Sequence, residues 1–174
     1  MKINILLIFL FIIFTTNSYA TTIRVIDMQK IINNNKILNE LFNLIENDQI
    51  KYTENFKKQE IELESELQRI NELKLILDNV ELEKEINGYN EKLQNFNQEI
   101  EKFNIHYDNQ INALKNKIIN NILELLKKYS LDNQIDLILD SNNYILSTNS
   151  INITDLILEQ SNQINLESGF EKYK

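Results

Sequence analysis

A chain of 174 residues with no Pro and only two Gly, Gly88 and Gly169, lacks the residues that make turns, so a fold of many short elements is excluded and long helices are expected. The absence of Cys excludes a disulfide framework, a thiolate metal site and a lipid-accepting thiol. A formal charge of −8, with Lys57-Lys58 and Lys127-Lys128 only as isolated pairs, argues against a nucleic-acid partner. Asn is abundant, as in Asn33-Asn34-Asn35, and reads as compositional drift because it is a mediocre helix former.

Residues 1–20 read as a secretory signal peptide. Lys2 supplies a positive start, Ile5 to Phe14 is unbroken apolar sequence, and Ser18-Tyr19-Ala20 places small residues three and one before a cut ahead of Thr21. The apolar run is shorter than the about 18 residues that a spanning helix needs, so cleavage after Ala20 is expected rather than an uncleaved anchor.

Thr22 to Asp27 alternates as a short strand, and Asp27 stands where a helix N-cap would. From Met28 to about Tyr129 there is no Pro and one Gly. Leu82, Ile86, Tyr89, Leu93, Phe96, Ile100, Phe103 and Tyr107 alternate steps of four and three, which is a coiled-coil seam. It continues at Ile111, Leu114, Ile118, Ile122, Leu125 and Tyr129 with two stutters. A weaker seam precedes it: Leu38, Leu41, Ile45, Tyr52, Phe56, Leu63, Leu67, Ile70 and Leu77, with Gln49, Gln59 and Lys74 at its gaps. Leu77-Asp78-Asn79-Val80 divides the two. Asp78 and Asn79 tolerate turns, and Glu81 completes an acidic analogue of a capping box. The symmetry of the seams about Asp78 favours an antiparallel hairpin over one continuous helix. Each arm is then about 50 residues, or about 75 Å, long.

After Ser130 to Asn133, Ile135 to Asp140 reads as a strand with Ile135, Leu137 and Leu139 on one face. Ser141-Asn142-Asn143 is turn chemistry, and Tyr144 to Ser147 reads as the second strand of a hairpin. Thr154 is an expected N-cap for a short helix to about Ile164, carrying Leu156, Ile157 and Ile164 on overlapping faces. Residues 165–174 are expected to be a mobile tail. The organisation is therefore mainly α with a small β platform: residues 21–27 and 130–164 form a body, and 28–129 form a coiled-coil arm with its tip near 77–80. Three short strands and one helix bury too little alone, so the strands are expected to pair between copies and close an oligomeric association body. Ile23, Val25, Ile135, Leu137, Leu139 and Ile145 are the candidate interface residues.

The segments Val25-Ile26-Asp27-Met28-Gln29-Lys30-Ile31, Ile138-Leu139-Asp140-Ser141-Asn142 and Ile151-Asn152-Ile153-Thr154-Asp155-Leu156, together with the order of strand, long hairpin, strands and helix, resemble the Skp/OmpH family of periplasmic chaperones. The resemblance implies a homotrimer whose helical arms enclose a cavity. In it, unfolded outer-membrane proteins are held without ATP. It also implies a periplasmic location and no cofactor. Family members often carry Asp where this chain has Asn152, a mild change. Their arms are basic, whereas residues 46–128 here hold 12 Lys and Arg against 17 Asp and Glu, which argues against binding anionic lipopolysaccharide.

Seam residues are occupied within the coil, so client contacts would fall to off-seam apolar positions: Ile50, Ile61, Leu75, Ile76, Val80 and Ile105. Gly88 is a candidate arm hinge, because an interior Gly costs a helix roughly 1 kcal/mol relative to Ala. Nothing points to an enzyme. His106, the sole His, is read as a solvated arm residue, Glu60 to Glu66 as a solvated coil face, and no Gly-rich phosphate loop is present. The competing reading is a structural or adaptor coiled-coil protein of the cell envelope.

Overall fold

The computed structural model describes residues 21–174; the expected signal peptide lies outside the described residues. The chain is mainly helical. In order it forms β1 (Ile23–Ile26), α1 (Met28–Asn33), α2 (Lys36–Leu73), α3 (Asn79–Asp132), β2 (Leu137–Asp140), two 3-10 turns (Ser141–Asn143 and Asn149–Ile151) and α4 (Thr154–Asn162).

Local chemistry sets each boundary. Asp27 is extended, and its carboxylate accepts the Lys30 N–H at 2.7 Å, starting α1. Asp78 accepts the N–H groups of Val80 and Glu81, both at 2.9 Å, and opens α3 after the tip. The first arm does not begin at Met28. Asn35 adopts φ −68° and ψ 127°, accepts the Ile37 and Leu38 N–H groups, and separates α1 from α2. Its Nδ2 donates to Ser161 Oγ at 3.1 Å, and the side chain is fully buried. One member of the Asn run is therefore a cap, not compositional drift. The arms are consequently unequal: 38 residues outward and 54 back, about 57 and 81 Å.

Residues equidistant from the tip face each other, as an antiparallel coil requires. Asp48 meets Tyr107, the Tyr52 ring lies 5.4 Å from Phe103, and Phe56 lies 6.2 Å from Phe96. Lys92 bridges to Glu66 at 2.9 Å, and Arg69 pairs with Glu85. These bridges are solvent-exposed on their basic side and contribute at most about 1 kcal/mol each. The seam is continuously buried at its base, at Leu38, Leu41, Ile45, Phe103, Tyr107, Leu114, Ile118 and Ile122, whereas toward the tip buried Leu63 and Ile70 alternate with partly exposed positions such as Leu67. Beyond Ile122 the buried position is Leu126 rather than Leu125. There α3 has left α2 and packs on α1 and α4, placing Leu126 with Ile31, Ile153 and Ile157 in one core.

The body holds a parallel pair. Ile23 lies opposite Leu137 and Ile26 opposite Asp140. Parallel strands need a crossover connection, and here the whole arm is that crossover. The other edge of β1 takes a bridge from Val25 to Asn152, where Ile153 N–H donates to Val25 O at 3.0 Å. The expected strand at 144–147 does not form. Asp140 Oδ1 accepts both Asn142 N–H and Asn142 Nδ2, which winds the chain into the 3-10 turn and away from β2. Tyr144 is extended but unpaired, and Ile145 and Leu146 stand in solvent. Thr154 is likewise not the cap of α4. Ile153 is, and the Thr154 hydroxyl accepts Asp27 N–H at 2.9 Å. Ile157 is fully buried, whereas Leu156 faces outward.

Candidate client-binding arm and association face

The six off-seam arm residues are all exposed: Ile50 and Ile61 near the middle, Leu75, Ile76 and Val80 around the tip, and Ile105 on the returning helix. The tip trio is the barest, at 89, 78 and 77 per cent. Three apolar side chains within six positions are thus left in solvent at the tip. Gly88 lies within uninterrupted α3, with open space where a Cβ would stand.

On the body, Ile23, Leu137 and Ile145 are exposed, with Ile23 and Leu137 side by side across the two strands. Ile135 and Leu139 are half-buried. Val25 is buried within the single chain, so its side chain is no part of an open face. Leu131, Leu146 and Leu156 are also exposed apolar residues of the body, though none is among the candidate interface residues.

Asp140 ties this face to the arm. Its Oδ2 accepts Met28 N–H at 3.1 Å while Oδ1 holds Asn142. Burial alone would raise its pKa, but the hydrogen bonds from Asn142, Met28 and Ser141 prevail and lower it. A carboxylate with a lowered folded pKa stabilises the fold above its unfolded value of about 3.9, and that contribution disappears as pH falls through the folded value. We therefore expect Asp140→Asn to melt below wild type at neutral pH, and the gap between them to narrow progressively as pH falls from about 5 toward the folded value. A gap that stays constant in melting curves across that range would reject this account.

A further set of side chains escaped the sequence reading. Asp48 is buried in the coil and accepts Tyr107 Oη at 2.6 Å. Burial, and then this bond, raise the Tyr107 phenol pKa. Residues 165–174 are not a free tail. Leu166, Phe170 and Tyr173 pack on the arm, and Tyr52 Oη donates to Tyr173 O at 2.6 Å. His106 is not simply solvated either. Its ring is half-buried, 5.5 Å from Tyr173, with Nε2 2.9 Å from Glu171 O. One signal was available: Ile164-Asn165-Leu166-Glu167-Ser168-Gly169-Phe170 alternates as a strand does, and its even positions turn toward the protein while the odd ones face out.

Among the described residues, no helix is long and apolar enough to cross a membrane, and no cluster of His, Asp and Glu could hold a metal ion. The family described as outer membrane protein, OmpH-like, matches residues 22–160. Chaperone protein Skp from Salmonella typhimurium strain LT2 is 28% identical over 122 residues, which span 70% of this chain and 73% of that one, and Chaperone protein Skp from Salmonella typhi matches equally. An OmpH-like protein of Caulobacter crescentus CB15 shares the fold with a TM-score of 0.63, at 8% identity, over 88% of this chain and 93% of its own. A strand-bound body, a capped two-helix arm and a match running from the first strand into the last helix place this chain in the OmpH-like, Skp-related family of outer membrane chaperones.

Proposed function

We propose that the chain is an ATP-independent holdase of the periplasm, exported by cleavage after Ala20, which retains unfolded outer-membrane proteins in a space between the arms of a homotrimer. The observation that carries this reading is the tip, where Leu75, Ile76 and Val80 are the most exposed of the apolar side chains along the arm. A rigid spacer gains nothing from such a tip, and a soluble protein avoids one. Barrel proteins in water expose alternating apolar strands that pair edge to edge. Many weak apolar contacts retain such a chain by multivalency, and each is readily broken, so release requires no fuel. The exposed Ile23, Leu137 and Ile145 support association of the bodies, since the outer edge of β2 is left open. The arm's acidic balance favours neither anionic lipopolysaccharide nor acidic clients.

Light scattering from a diluted, urea-denatured outer-membrane barrel protein tests the function directly. Wild type should suppress aggregation. Ile50, Ile61 and Ile76 replaced together by Ser should weaken retention about tenfold, one decade for three shared contacts of roughly 0.5 kcal/mol each, with helicity unchanged. Full suppression by the triple variant would move client binding elsewhere. A chain that protects no denatured protein at all would favour the envelope-adaptor reading.

A further inference from the structure

Residues 164–174 sit on the arm in an unusual way. Glu171 N–H donates to Gln110 Oε1 at 2.8 Å, and Gln110 Nε2 donates to Glu171 O at 2.9 Å. Two residues on, Tyr173 N–H donates to Asp48 Oδ2 at 3.3 Å, and Tyr173 O accepts Tyr52 Oη at 2.6 Å. Both backbone groups of residues i and i+2 are thus engaged, which is the pattern that a neighbouring strand would impose. Here side chains of two helices supply it. Such bonds read backbone and not sequence. Side-chain recognition is confined to the Tyr173 ring, 5.4 Å from Tyr52, 5.3 Å from Phe103 and 5.5 Å from His106, and to the apolar contacts of Phe170 and Leu166. The segment also has the period-two apolar alternation of a barrel strand until Gly169, whose φ of +68° bends it. It lies beyond the stretch of chain that the family matches.

We propose that the mid-arm face of Asp48, Tyr52, Phe103, His106 and Gln110 is a binding site for one extended, aromatic-bearing stretch of non-native polypeptide, and that residues 164–174 occupy it in cis until such a stretch displaces them. The proposal rests on the holdase reading and supplies it with a defined site. The occupant fits the role of a placeholder. It forms no helix or ladder of its own, so it belongs to the least stable part of the molecule. Its tether keeps it at a local concentration in the millimolar range, enough to cover the aromatic cluster when no client is present. A client that engages the arms at several points overcomes that concentration. A segment seated about nine-tenths of the time lowers apparent client affinity about tenfold.

Amide hydrogen exchange on the full chain reads the competition. The Glu171 and Tyr173 amides should be protected in the free protein and lose protection when a urea-denatured barrel protein is bound. Protection retained at saturating client would overturn the proposal. A chain ending at Gln163 should bind a labelled synthetic peptide of residues 164–174, as seen by fluorescence anisotropy, and should hold the barrel protein about tenfold more tightly than the full chain. If truncation costs helicity, Gln110→Ala in the full chain serves instead, with lowered protection at Glu171 expected and unchanged protection overturning the site. Equal suppression of aggregation by full and shortened chains would leave the holdase reading standing and remove this site. Suppression by neither would remove both.

Discussion

Ile118→Ala should destabilise the protein by about 3 kcal/mol, the middle of the range for truncating a buried Ile. Ile118 is fully buried at the base of the arm, where the seam is dry and α3 is about to leave α2 for the body. Removing three carbons there leaves a void that two long helices, tied by the same seam above and below, cannot close. For a chain of this size the loss should lower the melting temperature by about 9 °C. The same truncation at Leu67, a nominal seam position that is 43 per cent exposed, should cost under half as much. Equal effects in thermal denaturation would mean that the difference in burial between these two seam positions does not set their cost.

Tyr107→Phe should cost about 2 kcal/mol, because it strips a buried carboxylate of its phenolic partner. Asp48 is 6 per cent exposed and would retain only the longer bond from Tyr173 N–H. Burial followed by the Asp48 bond holds the Tyr107 proton on the phenol, so this donor persists through neutral and mildly alkaline pH. Adding Asp48→Leu to the variant should restore most of the loss, since an apolar pair requires no hydrogen bond. Chemical denaturation of the four proteins forms a double-mutant cycle. Additive losses would show that the two side chains act independently.

What could be read from the sequence followed from periodicity. The seam of α3 repeats regularly enough to give the helix, and its symmetry with the weaker seam about Asp78 favours an antiparallel partner over one continuous helix. Three features were hidden for separate physical reasons. Asn35 looks like its neighbours until Ser161 is brought beside it from 126 residues away. The strand at 144–147 has the right composition, but Asp140 spends its carboxylate on the preceding turn. Asp48 and Gln110 are ordinary surface residues of isolated helices; Tyr107 across the coil gives Asp48 its role, and the docking of residues 164–174 gives Gln110 its own. The exposed tip was legible because an apolar residue outside the heptad seam has no place inside a two-helix coil. The open face of the body was less so, since Val25 turned out to be consumed internally and Leu131 and Leu146 were overlooked.

The parallel pairing of β1 with β2 carries a kinetic consequence. Thr22 and Asp136, joined by hydrogen bonds, are 114 positions apart, so no part of the platform can close until nearly the entire polypeptide is available. Loops of that length are costly and slow to shut from a coil. The hairpin removes the difficulty if it zips first from Asp78, because its two ends then arrive together. Pulse-labelled refolding should accordingly protect amides of Phe103 to Ile118 before those of Val25 and Leu139. The reverse order would mean that the platform nucleates the limb.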